Sequence, residues 1–317
     1  MEILNIILVI GGLCLFETIS SIDNAIINAE VLTTMGQRAR KWFMSWGLIF
    51  AVFGVRGLLP WIIVWAVNPY LGPIGALTAT FSSDPQIKLA IELSSPMLLA
   101  GGGIFLVFLF FHWLFLEEKN FGLPRAEQFF MQNGVWFYAL ISIILTVVVS
   151  MTVKEDPMLA LGAVVGSTAF FITHGFKQNA ERSEASLMSR NNGLSDISKI
   201  LYLEIIDATF SVDGVLGAFA FTLAVPLILL GNGVGALVVR QLTLNNIDKI
   251  KKYIYLKNGA MYSILILGAI MLFDGLGAEI PQWLSPVSTF AIVGYFFYRS
   301  KKAIPAMTPP PVMTQAI

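Results

Sequence analysis

The feature that most constrains this chain is the recurrence of apolar stretches long enough to cross a bilayer. A helical span needs about 20 apolar residues. On that rule nine segments stand out, at 3–31, 42–67, 88–116, 135–153, 157–176, 200–223, 226–244, 257–275 and 283–299. The composition agrees, since 56% of the 317 residues are hydrophobic and 13% are charged, far from the balance of a soluble domain. Backbone in hydrocarbon must satisfy its own hydrogen bonds, so such segments fold as helices. The expected fold class is all-α: a polytopic membrane bundle of about nine transmembrane helices forming one domain over 1–303. The Pro-rich stretch 304–317 reads as a disordered cytoplasmic tail.

The charges order these segments in the membrane. Lys and Arg number 20 against 20 Asp and Glu, so nothing favours nucleic acid as a partner. Sixteen of the basic residues fall in alternate connections, at 32–41, 117–134, 177–199 and 245–257 and just after the last span. Lys88 and Lys154 lie on the other side, and Arg56 and Arg240 lie inside spans. By the positive-inside rule the N-terminus is outside and the C-terminus cytoplasmic. Glu2 and the absence of a basic leader make the first segment a retained helix rather than a signal peptide. The lone Cys14 excludes an internal disulfide. The connection 68–87 reads as a Pro/Gly-rich outer loop and 177–199 as a flexible polar one. Trp42, Trp46, Trp61, Trp65, Trp113, Trp136 and Trp283 fall near span ends, as an interfacial belt requires.

Against this background, acids inside spans carry the functional information, because each costs about 2.5 to 3.5 kcal/mol to insert. Glu17 to Asn24 reads ETISSIDN, and Asp207 to Gly214 reads DATFSVDG. Both keep the pattern acid-x-x-x-Ser-x-Asp, with Glu17 over Asp207, Ser21 over Ser211 and Asp23 over Asp213. Each copy is followed by a small-residue-rich span bearing one Arg: GLIFAVFGVRGL with Arg56, and GNGVGALVVRQL with Arg240. With nine spans the two copies run in opposite directions. That is the inverted-repeat pattern of secondary transporters, here relating helices 1 and 2 (about 3–67) to helices 6 and 7 (within 200–275).

At about 100° per residue, Glu17, Ser21, Asn24 and Asn28 form one stripe, and Asp23 points about 120° away. Asp207, Ser211 and Asp213 repeat that geometry. Either the helices unwind near Ser21–Asn24 and Ser211–Gly214, freeing carbonyls, or the acids act at different levels. Asp23 and Asp213 with Ser21, Ser211, Asn24 and carbonyls make an all-oxygen site of net charge about −2, suited to Mn²⁺, Mg²⁺ or Ca²⁺. Glu17 and Asp207 are further ligands or proton acceptors. Arg56 and Arg240 hold the acids ionised by pairing, or compensate charge structurally. His112 and His174 read as isolated intramembrane histidines, hydrogen bonders or ligands; Glu30, Glu92 and Glu204 read as solvated helix mouths.

FETISSIDNAIINAEVL with GVRGL, and DATFSVDGVLGAFAF with GVGALVVRQL, resemble the TerC family of the LysE transporter superfamily, in particular a divergent branch known only as a domain of unknown function. The resemblance covers about 10–60 and 200–275. The family is named for tellurium resistance, and several members are implicated in Mn²⁺ export. It implies that Asp23, Asn24 and Asp213, with Glu17 and Asp207, handle metal. Two departures stand out: Gly214 where the family has Ser after the Asp, and Ser211 where it usually has Ala.

These readings converge on a secondary transporter exporting a divalent cation, with Mn²⁺ as substrate and H⁺ as the exchanged ion. It is not an enzyme and requires no cofactor. No GxxxxGK[ST] loop is present, and tellurite, an anion, does not suit acids. The resemblance places it in a bacterial inner (plasma) membrane. Its partners are a divalent metal ion and the lipid bilayer, with a homo-oligomer left open. The alternatives are a non-transporting metal sensor or metal-delivery protein and an intramembrane aspartyl protease, which needs two buried Asp residues but uses a Gly-x-Gly-Asp sequence absent here.

Overall fold

The computed structural model describes residues 3–47, 49–78, 84–154, 156–189, 195–245 and 250–307. Among these there is no strand. The helices are α1 (Ile3–Ser20), α2 (Ile22–Thr33), α3 (Gln37–Trp42), α4 (Leu58–Val67), α5 (Gly72–Thr78), α6 (Pro85–Leu116), α7 (Pro124–Gln132), α8 (Phe137–Thr152), α9 (Pro157–Ser189), α10 (Asp196–Ala218), α11 (Val225–Asn245), α12 (Leu256–Gly275) and α13 (Leu284–Met307). π-Helical stretches at Phe43–Gly47 and Phe50–Val55 join α3 to α4.

Seven stretches among the described residues are long and apolar enough to cross a membrane: Ile3–Ser20, Gln37–Val67, Leu93–Leu116, Gly134–Thr152, Pro157–Asn179, Val225–Leu242 and Leu256–Gly275. The two remaining expected segments, 200–223 and 283–299, fall on α10 and α13. Both are helical, but α10 carries Lys199, Glu204, Asp207 and Asp213, and α13 carries Ser285, Pro286, Ser288 and Thr289 near its start and Arg299, Lys301 and Lys302 near its end. Their polarity keeps them out of the apolar set.

α6 is the centre of the bundle. Its residues from Leu99 to Phe115 are almost all buried, and it packs most extensively on α9 and α12, while α1 packs on α11. At the periphery α8 buries only Phe137, Ile141, Val148 and Thr152. The last three and Phe137 lie on one helical stripe, while Ile143, Val147 and Met151 are apolar yet exposed. A helix apolar on both its protein face and its outer face is built to stand in lipid.

Contacts gather the basic connections at one end. Glu30 pairs with Lys251 at 3.1 Å, the Gly36 N–H meets the Asp196 carboxylate, and Lys199 donates to the Thr34 carbonyl. Nearby Asn258 donates to the Asn120 carbonyl, and Arg299 to that of Gly122.

Several expected loops are more ordered than their composition suggests. α9 continues to Ser189, through the first half of 177–199, while 190–194 lie outside the described residues. The connection 117–134 contains α7, whose Glu127 is buried and accepts from Asn258 and Tyr262. The outer loop 68–87 contains α5, and α13 extends to Met307, into the stretch read as tail; 308–317 lie outside the described residues. Trp113 does not belong to an interfacial belt. It is fully buried beside Phe110 and Tyr262 with the Lys119 ammonium over its ring, because the helix that carries it is the central one.

Candidate functional site

The first copy of the acidic motif sits where α1 hands over to α2. The interruption is one residue deep: Ser21 has φ −90° and ψ 4°, yet its N–H still reaches the Glu17 carbonyl at 3.1 Å and its carbonyl still accepts from Ala25 at 2.9 Å. α10 runs unbroken through the second copy. The unwinding considered from sequence is therefore confined to a kink at Ser21, and α10 stays continuous with its two acids facing different partners.

Arg56 is positioned by irregular helix. Its backbone N–H bonds to the Ala51 carbonyl five residues back, at 3.2 Å, closing the π-helical stretch Phe50–Val55. Such bulges recur at functional sites because they re-aim a side chain without ending the helix. The guanidinium then reaches both motif copies. Nε donates to Glu17 Oε1 at 2.7 Å, and Nη1 to Asp207 Oδ2 at 3.1 Å. Ser21 Oγ donates to Glu17 Oε1 at 2.8 Å, and Asn24 Nδ2 to Asp207 Oδ1 at 2.5 Å. Glu17 and Arg56 are 1% and 3% exposed, so this is a charge network inside the protein, where each ion needs a partner to offset lost hydration.

Small residues let the elements close on it. A Cβ at Gly235 of α11 would lie 2.6 Å from Glu17 Cβ, and one at Gly214 of α10 would lie 2.8 Å from Glu17 Oε2. Gly214, which departs from the Asp-Ser pattern of the resembling family, thus leaves room for the acid of the other copy.

Beside the network is a cavity of about 30 Å³, lined by Ser21, Asn24, Asn28, Asp207, Arg56 and Arg240 together with Leu32, Phe43, Met44, Ala51, Ala236 and Val239. It is large enough for a water or an ion. Asn24 Oδ1 and Asn28 Oδ1 are buried without a hydrogen bond, as is Glu17 Oε2. Arg240 does not pair with the two acids as Arg56 does; it donates to the Phe43 carbonyl and stacks on the Phe43 ring at 4.3 Å.

The site brings together Glu17, Ser21, Asn24, Asp207, Arg56 and Arg240, but not Asp213 or Ser211. Ser211 is buried and its hydroxyl donates to the Asp207 carbonyl. Asp213 faces Lys177 of α9, Oδ2 to Nζ 4.0 Å, as the turn of about 120° separating it from Asp207 on an unbroken helix requires. The side chains of Asp23 and Glu92 lie outside the described residues. Glu17 and Asp207, one acid from each motif copy, instead share the Arg56 guanidinium, and the expected pairing of Asp23 with Asp213 falls on a side chain outside the described residues. Among the described residues no three His, Cys, Asp or Glu side chains cluster as a metal-ion site, so a cation here would need Asn and Ser oxygens. Asn28, placed on the stripe by its spacing but not among the expected ligands, is the residue the sequence reading missed.

Apolar helices around a buried charge network define an integral membrane protein. The chain belongs to the family described as Protein of unknown function (DUF475), whose model matches residues 22–303. No curated protein and no solved structure matches the chain.

Proposed function

We propose that the protein is a secondary transporter that exports a divalent cation through the Glu17–Asp207 site. The observation that carries this reading is the set of acceptor oxygens left without donors, Asn24 Oδ1, Asn28 Oδ1 and Glu17 Oε2, two of them on residues that line a cavity with Asp207 and Ser21. An unpaired buried acceptor costs about 1–3 kcal/mol. A water would donate to only some of these oxygens, whereas a hard cation collects oxygen ligands in numbers.

In this reading Arg56 is a tethered stand-in for the substrate. Glu17 and Asp207 against Arg56 and Arg240 sum to zero charge, so a divalent ion enters only as the Arg56 guanidinium leaves the carboxylates. When the ion departs, the guanidinium returns and spares two acids from standing unpaired. That the acids of both motif copies meet on one Arg supports the inverted-repeat arrangement of nine spans. The outward N-terminus, Mn²⁺ as the ion and export as the direction come from the charge distribution and the TerC resemblance.

The test is Mn²⁺ flux in proteoliposomes, wild type beside Glu17→Gln and Asp207→Asn. Flux in the wild type, lost in both variants, supports the reading. Binding without flux favours a sensor or delivery role. If neither Mn²⁺, Mg²⁺ nor Ca²⁺ is bound or moved, the cation reading fails.

A further inference from the structure

On the face of α10 turned away from the cavity, a second set of ionisable side chains crosses four helices. Asp213 Oδ2 is 4.0 Å from Lys177 Nζ on α9. His174, one turn earlier on α9, has its ring centroid 4.0 Å from that of His112 on α6. His112 Nδ1 is 3.4 Å from Glu117 Oε1, and Glu117 Oε2 is 3.0 Å from Lys257 Nζ at the start of α12. The imidazoles are walled by aromatic rings: Phe170 stacks on His174, and Phe137 of α8 meets His112 edge-on. The histidines that read as isolated in the sequence are therefore a contacting pair between a carboxylate at the basic end of the bundle and one within it.

We infer that His112 and His174 form a proton-transfer station between Glu117 and Asp213, separate from the cation cavity. Imidazole is suited to this because one ring nitrogen can accept a proton while the other releases one. Two imidazoles in contact share a proton more easily than they hold two. The groups that face the pair are Glu117 just past the end of α6, Lys177 on α9, Asp213 on α10 and Lys257 on α12. The two carboxylates and two ammonium groups balance, so the pair sits in surroundings of no net charge. A proton arriving at Asp213 converts its carboxylate to the acid. On leaving it is taken by the imidazole pair, whose imidazolium the ionised Glu117 carboxylate steadies, and it is then released at the basic end of the bundle, so that each group returns to its starting form with no other reactant consumed. Protonating Asp213 also removes the charge facing Lys177 and so loosens α10 from α9. The same helix carries Asp207 on its other face, which gives a physical link between proton passage and cation release; that link rests on the transport reading above, while the proton station does not.

The chain has 2 histidines in all, so histidine labelled with ¹⁵N gives a spectrum of this pair alone in tag-free protein. The expected result is a coupled two-step titration, which becomes a single ordinary step for the remaining ring in His112→Gln and in His174→Gln. Two independent titrations in the wild type, unchanged by either substitution, would overturn the inference. In proteoliposomes with an internal pH dye, each variant should lower Mn²⁺-driven proton counterflux roughly 10-fold while Mn²⁺ binding stays within about twofold of wild type. Wild-type counterflux in both variants overturns the coupling role. Absence of any Mn²⁺ flux in the wild type sinks the transport reading, and the histidine titration then decides the station on its own. Thermal unfolding of each variant at wild-type temperature shows that the loss is not misfolding.

Discussion

Gly235 of α11 lies directly against Glu17 of α1: a Cβ at this position would sit 2.6 Å from Glu17 Cβ, 2.8 Å from Glu17 Cγ and 2.9 Å from the Cys14 carbonyl. None of these atoms is the loose end of a side chain, so neither helix can yield cheaply. Gly235→Ala should cost about 1–3 kcal/mol, as overpacking does, and push Glu17 out of reach of Arg56. The check is the unfolding temperature in detergent together with Mn²⁺ binding, both of which should fall. Gly294→Ala is the control, because nothing stands within 4 Å of its Cβ position, and it should leave both unchanged.

Arg56 is bound to two acids that are themselves shut away from water, so its removal should expose the cost of the whole arrangement. Arg56→Met leaves Glu17 and Asp207 uncompensated and should destabilise by about 3–5 kcal/mol, the usual penalty for breaking a buried pair from one side. Adding Glu17→Gln and Asp207→Asn to the same chain removes the charges left behind and should recover most of that loss. Chemical denaturation of the single and triple variants checks this; equal losses in both would mean that Arg56 acts by packing rather than by charge.

The positions of the helices were largely legible, because apolar length is a one-dimensional property. Each of the nine expected segments falls on helix, and the two that miss the apolar set are α10 and α13, of which α10 carries the inward-facing acids. Helical arithmetic also separated Asp207 from Asp213 by about 120°. What it could not decide was whether the helix stays intact at that point, since Ser is a weak breaker in either case. Partnerships across the bundle were out of reach. His112 and His174 are distant in sequence, and nothing in either local stretch signals the other. Asn28 lies among Ile and Ala with no local mark to distinguish a cavity-lining amide from an ordinary interhelical hydrogen bonder. Trp113 misled because proximity to a span end is an interfacial signal only on helices that touch lipid.

Glu117 gives a prediction about pH. Burial works against its charge, but the His112 imidazole 3.4 Å away and the Lys257 and Lys177 charges outweigh burial and hold the carboxyl well below its ordinary value of 4.5. A carboxylate lowered in the folded state contributes stability that is complete above its unfolded value and is lost as the pH falls below it. Glu117→Gln should therefore be less stable than wild type at neutral pH, with the difference shrinking as the pH is lowered below about 4.5. Unfolding temperatures of the two proteins from pH 7 down to pH 3 test this. A difference that stays constant across the range would show that the carboxylate charge contributes nothing.

Asn28 separates stability from function. Its Oδ1 is buried without a donor and its side chain lines the cavity, so in the empty protein this oxygen is a cost of about 1–3 kcal/mol. Asn28→Leu removes the orphan and fills space beside Leu32 and Met44, which also line the cavity. The variant should unfold at a temperature equal to or above that of wild type. If the oxygen is kept for a cation, the same change should weaken Mn²⁺ binding about tenfold, near the loss of a single ligand worth about 1.4 kcal/mol. Isothermal titration alongside thermal unfolding reads both quantities on one preparation. A more stable protein with weaker binding is the signature of an acceptor held in place for its ligand. A less stable protein with unchanged binding would assign Asn28 to packing and remove it from the site.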